Sequence, residues 1–278
     1  MPGIAEQRLI LAETIEQARE ALRQGRAVLA GGTWLMRAPV RGQVMPERLV
    51  SVGRIAALNR VGAEAEEYVI GAAVTHVALV EALRNVQQLA GLVAAAVSSA
   101  NPAVRRVATL GGNLCCVDFA ASDFAPALLA CGAHVELETA QGAATLPMSE
   151  FLARRAELLS QALLTGVRVP RSVERSAHQR LPMRKAGDYP VAIVSMAICD
   201  GELRIAVGSV EPVARRWTAL EQALHGQKLT PELAAELAAT LNDFRGRDGI
   251  EAVGWYRREV LPALVRRCTA ALLSGESK

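Results

Sequence analysis

Two glycine pairs constrain this chain more than any other feature of its sequence. The first, Gly31-Gly32, closes the apolar run in "VLAGGTWLM", Val28 to Met36. The second, Gly111-Gly112, lies in "VATLGGNLCC", Val107 to Cys116. Glycine loses more conformational freedom on folding than any other residue, so a pair at the end of a buried strand needs a reason. A turn without side chains lets backbone N–H groups converge, and converging N–H groups form an anion-binding concavity. Two such turns can grip one pyrophosphate from two sides, with Thr33, Thr109 and Asn113 adding hydroxyl or amide contacts. Either pair alone also fits an ordinary tight turn. Neither matches Gly-x-Gly-x-x-Gly or the Walker pattern, so neither a Rossmann nor a P-loop reading is supported.

The rest of the chain sets the frame. At 278 residues and 51% hydrophobic content it can build a sizeable core in two or three compact units. Aromatics make up only 4%, so Ala, Val and Leu must fill the interior. Basic and acidic residues nearly balance, at 31 against 28, which argues against nucleic acid as a partner. The most apolar stretch, Leu89 to Ala100, is shorter than the roughly 20 residues a membrane-spanning helix needs. No basic start leads into a long apolar core, so no signal peptide is expected. Five cysteines, an odd number without any Cys-x-x-Cys spacing, fit a reduced, cytoplasmic compartment.

Thr14 and Gln17 form a capping box before a helix whose apolar face carries Ile15, Ala18 and Leu22, with Gly25 as its stop. A strand over Ala27 to Ala30 follows. Tyr68 to Val74 reads as a strand, and Thr75 as the N-cap of a helix through Arg84. Leu89 to Ala100 reads as a buried helix stopped by Asn101-Pro102. Phe124 to Ala130 is a short helix behind Ser122 and Asp123. Ala133, Val135 and Leu137 then alternate with His134, Glu136 and Glu138 in a half-buried strand that exposes His134. Leu163 to Val169 is a strand closed by Pro170. Arg171 to Arg180 is polar and weakly periodic, which places a domain boundary there. Beyond it, Val191 to Cys199 and Glu202 to Val207 form a hairpin about Asp200-Gly201. Helices follow at Thr218 to Leu224, at Pro231 to Asn242, and between Trp255 and Leu273. The chain reads as α+β in three parts.

"LAGGTWLM" and "TLGGNLCCVDFAASDFAPALLACGAHVEL" resemble the two flavin-binding signatures of the FAD-binding medium subunit of the molybdenum hydroxylase family, the xanthine dehydrogenase and carbon monoxide dehydrogenase type. "VIGAAVTHVALV", "LLTGVRVP", "RKAGDYPVAIVSMAI" and "LRIAVGSVEPVARR" resemble further segments of that family in the same order, so the resemblance covers essentially the whole chain. It implies two N-terminal FAD-binding α/β subdomains of the PCMH type, residues 1–57 and 58–172, and a C-terminal domain, 173–278, with a three-stranded antiparallel sheet and a helix bundle. By resemblance, Leu29, Ala30, Gly31, Gly32, Thr33, Trp34, Leu35, Thr109, Gly111, Gly112, Asn113 and Cys116 line the FAD phosphates and sugar. Asp123 accepts from sugar or ribityl hydroxyls, a role compatible with capping the helix it precedes. Leu164 packs near the isoalloxazine, and Arg180, Arg184, Lys185 and Tyr189 lie near the ring; each of these last four also fits a solvated linker.

The resemblance further implies an electron-transfer subunit. Its partners are a small iron–sulfur subunit with [2Fe–2S] clusters and a large subunit with a molybdopterin-type molybdenum cofactor, in a dimer of heterotrimers. Electrons pass from the clusters through FAD to NAD+, oxygen or a quinone-type acceptor. The alternative is a non-catalytic scaffold that keeps the fold and binds FAD weakly or not at all. A stand-alone flavin oxidase is disfavoured, because no residue set reads as a substrate acid/base pair.

The chain departs from the family at Trp34, where relatives carry an acid or a small polar residue. An indole cannot accept from a ribose hydroxyl. It can enter the core, stack beside the cofactor or cover the site, and a place beside the FAD groove is expected. The loop from Leu114 to Ser122 is about one residue longer than the family's. Cys115 and Cys116 are read as structural, since a disulfide between neighbours is strained. Cys131, Cys199 and Cys268 are read as core. The four histidines lack zinc-ligand spacing, and His76 reads as an early helix residue. The basic run Val104 to Arg106 leads into the second glycine turn and can position it or meet a partner; Leu264 to Cys268 reads as a solvated face.

Overall fold

The computed structural model describes residues 8–183 and 189–275. Three sheets follow one another along the chain. The first is parallel, in the order β1-β3-β2, from β1 (Leu9–Leu11), β2 (Ala27–Leu29) and β3 (Leu49–Ser51). Helix α1 (Ile15–Arg23) makes the crossover. Thr14 caps it, the Gln17 N–H donating to Thr14 Oγ1 at 3.2 Å, and the Gln17 side chain reaches back one residue past the cap, Oε1 accepting from the Glu13 N–H at 2.8 Å. Ala18 and Ala21 of α1 pack with Val50, Val52 and Ile55 in a small core of their own.

The second sheet is antiparallel, in the order β4-β5-β8-β6-β7. Its strands are β4 (Val61–Ala63), β5 (Glu67–Gly71), β6 (His134–Thr139), β7 (Gly142–Pro147) and β8 (Leu163–Pro170). Strand β5 ends at Gly71, three residues before the sequence pattern places its end, and the Ala72 N–H still reaches the Thr165 carbonyl at 2.9 Å. Between β5 and β6 run five helices: α2 (His76–Leu83), α3 (Ala90–Ser98), α4 (Pro102–Arg105), α5 (Leu110–Leu114) and α6 (Phe124–Ala130). Helix α7 (Met148–Leu158) connects β7 to β8. His134 on β6 is half-buried rather than exposed.

The third sheet contains three long antiparallel strands, β9 (Val173–Pro182), β10 (Pro190–Cys199) and β11 (Glu202–Gly208), with the two-residue β12 (Arg215–Arg216) at its edge. The segment read as a polar boundary is thus mostly strand β9. Helices α8 (Thr218–Leu224), α9 (Pro231–Thr240), α10 (Gly254–Glu259) and α11 (Leu261–Ser274) cover one face of this sheet. The single terminal helix expected from Trp255 to Leu273 is two helices. Pro262 lacks an N–H and therefore sits in the first turn of a new one. Every residue of α6 is buried, and it packs on β10 and β11 as well as on the second sheet, so the largest core runs on into Ala197, Cys199 and Ala206. Among the described residues no helix is long and apolar enough to cross a membrane.

Candidate functional site

Strand β2 delivers the chain into the first glycine turn. Gly32 has φ +69°, a conformation that L side chains rarely adopt. Gly31 is required for another reason: a Cβ there would land on the carbonyl oxygen of Val107 and stand 3.0 Å from Ala108 Cα. The backbone leading into the second glycine pair therefore lies directly on the first. Beyond the pair, the Met36 N–H donates to the Gly32 carbonyl at 2.9 Å and closes the turn. The N–H groups of Gly31, Gly32, Thr33, Trp34 and Leu35 have no acceptor among the described residues, although all five residues are half-buried. A run of half-buried donors without protein partners is unusual, because backbone groups removed from water are nearly always paired.

The second pair works differently from the expectation. Thr109 caps α5, its Oγ1 accepting from the Gly112 N–H at 3.0 Å. The Gly111 N–H donates to the Ala72 carbonyl at 2.8 Å, and the Asn113 N–H to the Thr109 carbonyl at 3.0 Å. These N–H groups are spent within the protein. The pair serves close packing instead: a Cβ at Gly111 would stand 2.7 Å from Ala72 Cβ, and one at Gly112 would stand 2.9 Å from Thr109 Oγ1. Asn113 Oδ1 accepts from the Ser122 hydroxyl, which leaves the amide NH2 for another acceptor. Cys116 directs its Sγ to the Gly112 carbonyl at 3.0 Å, and burial pushes its thiol up to about 12, so it stays protonated and structural.

Asp123 does not cap α6. Its backbone is already helical, and the cap is Ser122, whose Oγ accepts from the Ala125 N–H at 3.1 Å. The Asp123 carboxylate is 1% exposed and carries two partners from β9: His178 Nε2 and Arg180 Nε each stand 3.1 Å from Oδ1. Oδ2 has no partner among the described residues. Alternate residues of a strand share one face. On β9 that face carries Ser176, His178 and Arg180. Ser176 Oγ donates to the Gln88 carbonyl at 2.6 Å and accepts from the Gly91 N–H at 3.0 Å. Arg180 also donates to the Ser98 carbonyl at the end of α3. A buried charge is tolerable only when paired and hydrogen-bonded, and this polar stripe meets that condition for Asp123.

Above the turns stands an aromatic group with one member from each third of the chain. Trp34 meets Phe119 at 4.8 Å between ring centroids, Phe119 meets Tyr189 at 5.2 Å, and Trp34 meets Tyr189 at 6.5 Å. Arg41 lies over the Trp34 ring at 3.9 Å and donates to the Trp34 carbonyl at 2.9 Å. Trp34 is therefore a half-buried residue beside the first turn and not part of a hydrophobic core. Leu29, Ala30 and Leu35 complete the first turn, and Ala30 Cβ comes within 3.9 Å of the place a Cβ at Gly112 would take. Leu164 is elsewhere: it is a core residue of β8, 3% exposed, opposite Leu137. Arg184 and Lys185 lie outside the described residues. Sequence reasoning missed Arg41, Phe119 and His178. Phe119 lies inside the second signature but carries no polar group to single it out, Arg41 and His178 belong to no motif, and only the period-2 spacing of Ser176, His178 and Arg180 could have signalled a shared strand face.

Residues 5–172 match the family model described as the FAD binding domain in molybdopterin dehydrogenase. The chain belongs to this family. Residues 180–272 match a second model, the CO dehydrogenase flavoprotein C-terminal domain. Among curated relatives, the nicotine 6-hydroxylase medium subunit of Paenarthrobacter nicotinovorans is 27% identical over 249 residues, covering 86% of this chain and 87% of that one. The putative xanthine dehydrogenase FAD-binding subunit of Escherichia coli K12 is 28% identical over 253 residues, 86% of each chain. Among solved structures, a carbon monoxide dehydrogenase from Hydrogenophaga pseudoflava superposes with TM-score 0.84 at 26% identity, over 96% of this chain and 97% of that one. Family membership makes the chain an FAD-binding oxidoreductase subunit, and the fold is the one the resemblance implied.

Proposed function

We propose that this chain holds FAD against its first glycine turn and passes electrons from iron–sulfur clusters of a small partner subunit to an external acceptor: NAD+, oxygen or a quinone. The observation that carries this reading is the run of unpartnered N–H groups from Gly31 to Leu35, seated on the second glycine segment. Such a run supplies what a pyrophosphate needs, donors fixed before the ligand arrives. Arg41, held at Trp34, adds a positive charge beside the turn. The Asn113 amide, the Thr109 hydroxyl and Asp123 Oδ2 are the side-chain groups available to the cofactor's sugar and ribityl hydroxyls.

When bound, FAD supplies the redox chemistry, taking electrons from one partner and releasing them to another. The chain's own share is to bind and orient the flavin and to set the polarity around it. Names of the relatives as medium subunits support small and large partners, and the large one would carry the molybdenum cofactor and the substrate. A dimer of such heterotrimers is the assembly proposed. Free cysteines throughout, at 115, 116, 131, 199 and 268, support a reducing, cytoplasmic setting.

The test is direct. The purified full-length chain should show a bound flavin spectrum at one FAD per chain, and that spectrum should bleach when the reduced iron–sulfur partner is added without oxygen. A colourless chain that takes up no FAD on titration would leave the scaffold reading instead. A yellow chain that the partner cannot bleach would refute the electron path and keep the binding.

A further inference from the structure

Beneath Asp123 lies a hydrogen-bonded chain that no part of FAD binding as described requires. Ser195 on β10 stands directly opposite His178 on β9 in the antiparallel register, and its Oγ is 2.9 Å from His178 Nδ1. His178 Nε2 is 3.1 Å from Asp123 Oδ1. Ser195, His178 and Asp123 are 1%, 4% and 1% exposed. The order Ser–His–Asp superficially suggests a hydrolase, but a nucleophile sealed from solvent has no substrate to attack. The chemistry points elsewhere.

A carboxylate only accepts hydrogen bonds, so the His178 nitrogen facing Asp123 must carry the proton. In a neutral imidazole the other nitrogen is then an acceptor, and the Ser195 hydroxyl donates to it. Asp123 thereby sets the tautomer of His178, Ser195 satisfies the nitrogen that this leaves as an acceptor, and His178 in turn holds the Asp123 carboxylate in place. Both partners of Asp123 on β9 converge on Oδ1. That convergence leaves Oδ2 without a hydrogen bond among the described residues.

We propose that His178 is a positioning residue for the flavin: it aims the free oxygen of Asp123 at a cofactor hydroxyl, with Ser195 anchoring the far side of its ring. This rests on the reading that the chain binds FAD and that Asp123 contacts it. It makes cofactor retention depend on the third sheet, which supplies both His178 and Ser195 although the glycine turns lie in the first two-thirds of the chain.

The experiment is FAD titration of the deflavinated full-length chain by fluorescence, with far-UV circular dichroism and a urea transition recorded for each variant. His178→Phe keeps a ring and removes the donor; FAD affinity should fall about tenfold, the scale of one lost hydrogen bond to a charged group. His178→Gln can return an N–H to the same oxygen and should restore affinity to within about threefold. The decisive arm repeats His178→Phe in an Asp123→Ala background, where it should change FAD affinity less than about twofold, since a residue acting through Asp123 has nothing left to act on. Equal weakening in both backgrounds, or no weakening in either, overturns the proposal. Should His178→Phe not fold, Ser195→Ala decides: weakened FAD binding that disappears in the Asp123→Ala background supports the relay, and unchanged binding refutes it. If the parent itself binds no FAD, the cofactor reading falls and takes this inference with it; if the parent binds and the variants match it, only the inference falls.

Discussion

The carbonyl oxygen of Val107 fills the space that a side chain at Gly31 would need. Val107 precedes Thr109, the cap of α5, and Gly31 opens the turn whose five N–H groups lack partners among the described residues. The two glycine motifs, about eighty residues apart in the sequence, are therefore one packed unit in the fold. The pair at Gly31-Gly32 exists because one position must admit a foreign backbone and the next must take a positive φ.

Gly31→Ala should drive these two backbones apart. Overpacking of this kind costs about 1–3 kcal/mol, and more when the obstructing atoms belong to backbone. Gly53→Ala is the matched control, because a Cβ at Gly53 meets nothing within 4 Å and its φ is not positive. The expected outcome is a lower urea midpoint and loss of flavin in Gly31→Ala, with neither in Gly53→Ala. The flavin-to-protein absorbance ratio of the purified chains measures the second effect.

Ser122 and Asp123 are neighbours with separable duties. Ser122→Ala removes the α6 cap and the contact that holds Asn113 Oδ1; it should cost about 0.5–2 kcal/mol of stability and weaken FAD binding far less than Asp123→Ala. Asp123→Ala removes no cap, since the Asp123 side chain makes none. It should release FAD much faster than the parent. Stopped-flow release rates beside urea transitions distinguish the two; equal FAD release from Asp123→Ala and parent would end the cofactor role of Asp123.

Much of this was legible in the sequence, and the failures share a physical cause. The helix from Ile15, the hairpin about Asp200-Gly201 and the glycine turns announce themselves through local chemistry: caps, turn residues, periodicity. Strand β9 did not. Its residues Ser176, His178 and Arg180 are polar, and a polar face at period 2 ordinarily looks toward water. Here that face is turned onto α3 and α6, where Gln88, Gly91, Ser98 and Asp123 supply its partners. Those partners are 55 to 88 residues away in the chain, beyond any local pattern. The spent N–H of Gly111 was hidden for the same reason, since its acceptor at Ala72 comes from another element, whereas those of Gly112 and Asn113 are met locally by Thr109. The short parallel strands β1 and β3, of three residues each, carry too little periodicity to be read.

Acid should destabilise the fold through His76. The residue opens α2 and is 2% exposed, with Nδ1 2.7 Å from Ser99 Oγ and its ring edge-on to Phe124 at 4.8 Å between centroids. Nε2 has no partner of hydrogen-bond geometry among the described residues. Burial lowers the His76 pKa from 6.5 to about 4; Asp123 and the Thr109 backbone pull it up, and Arg105 pushes it further down. The unfolded chain therefore binds a proton at this position that the folded chain refuses. Stability from His76 is intact above about pH 6.5, falls as pH drops toward 4, and changes no further below that, for a total of about 3 kcal/mol. His76→Gln, which cannot titrate, should flatten the difference in unfolding free energy between pH 7 and pH 4.5 relative to the parent. Parallel pH profiles for the two proteins would show that His76 does not carry this dependence.

Trp34 is the last position to test. Its indole stacks obliquely on Phe119, with 48° between the ring planes, and supports the Arg41 guanidinium on its face. Both contacts hold it beside the turn that carries the free N–H groups. A cation on an aromatic face contributes about 0.5–1 kcal/mol at exposed sites, so Trp34→Phe should weaken the Arg41 contact and leave the fold intact. The other two tryptophans make good controls. Trp217 is fully buried under the third sheet, its Nε1 donating to the Leu241 carbonyl at 3.1 Å and its ring edge-on to Phe244. Trp255 is 67% exposed on α10 beside Tyr256. Bound flavin should quench part of the tryptophan emission, and Trp34→Phe should remove most of that quenching. Trp255→Phe should take away long-wavelength emission without changing the quenched fraction, and Trp217→Phe should take away the short-wavelength component. If quenching survives in Trp34→Phe but vanishes in Trp217→Phe or Trp255→Phe, the flavin does not sit against the first glycine turn.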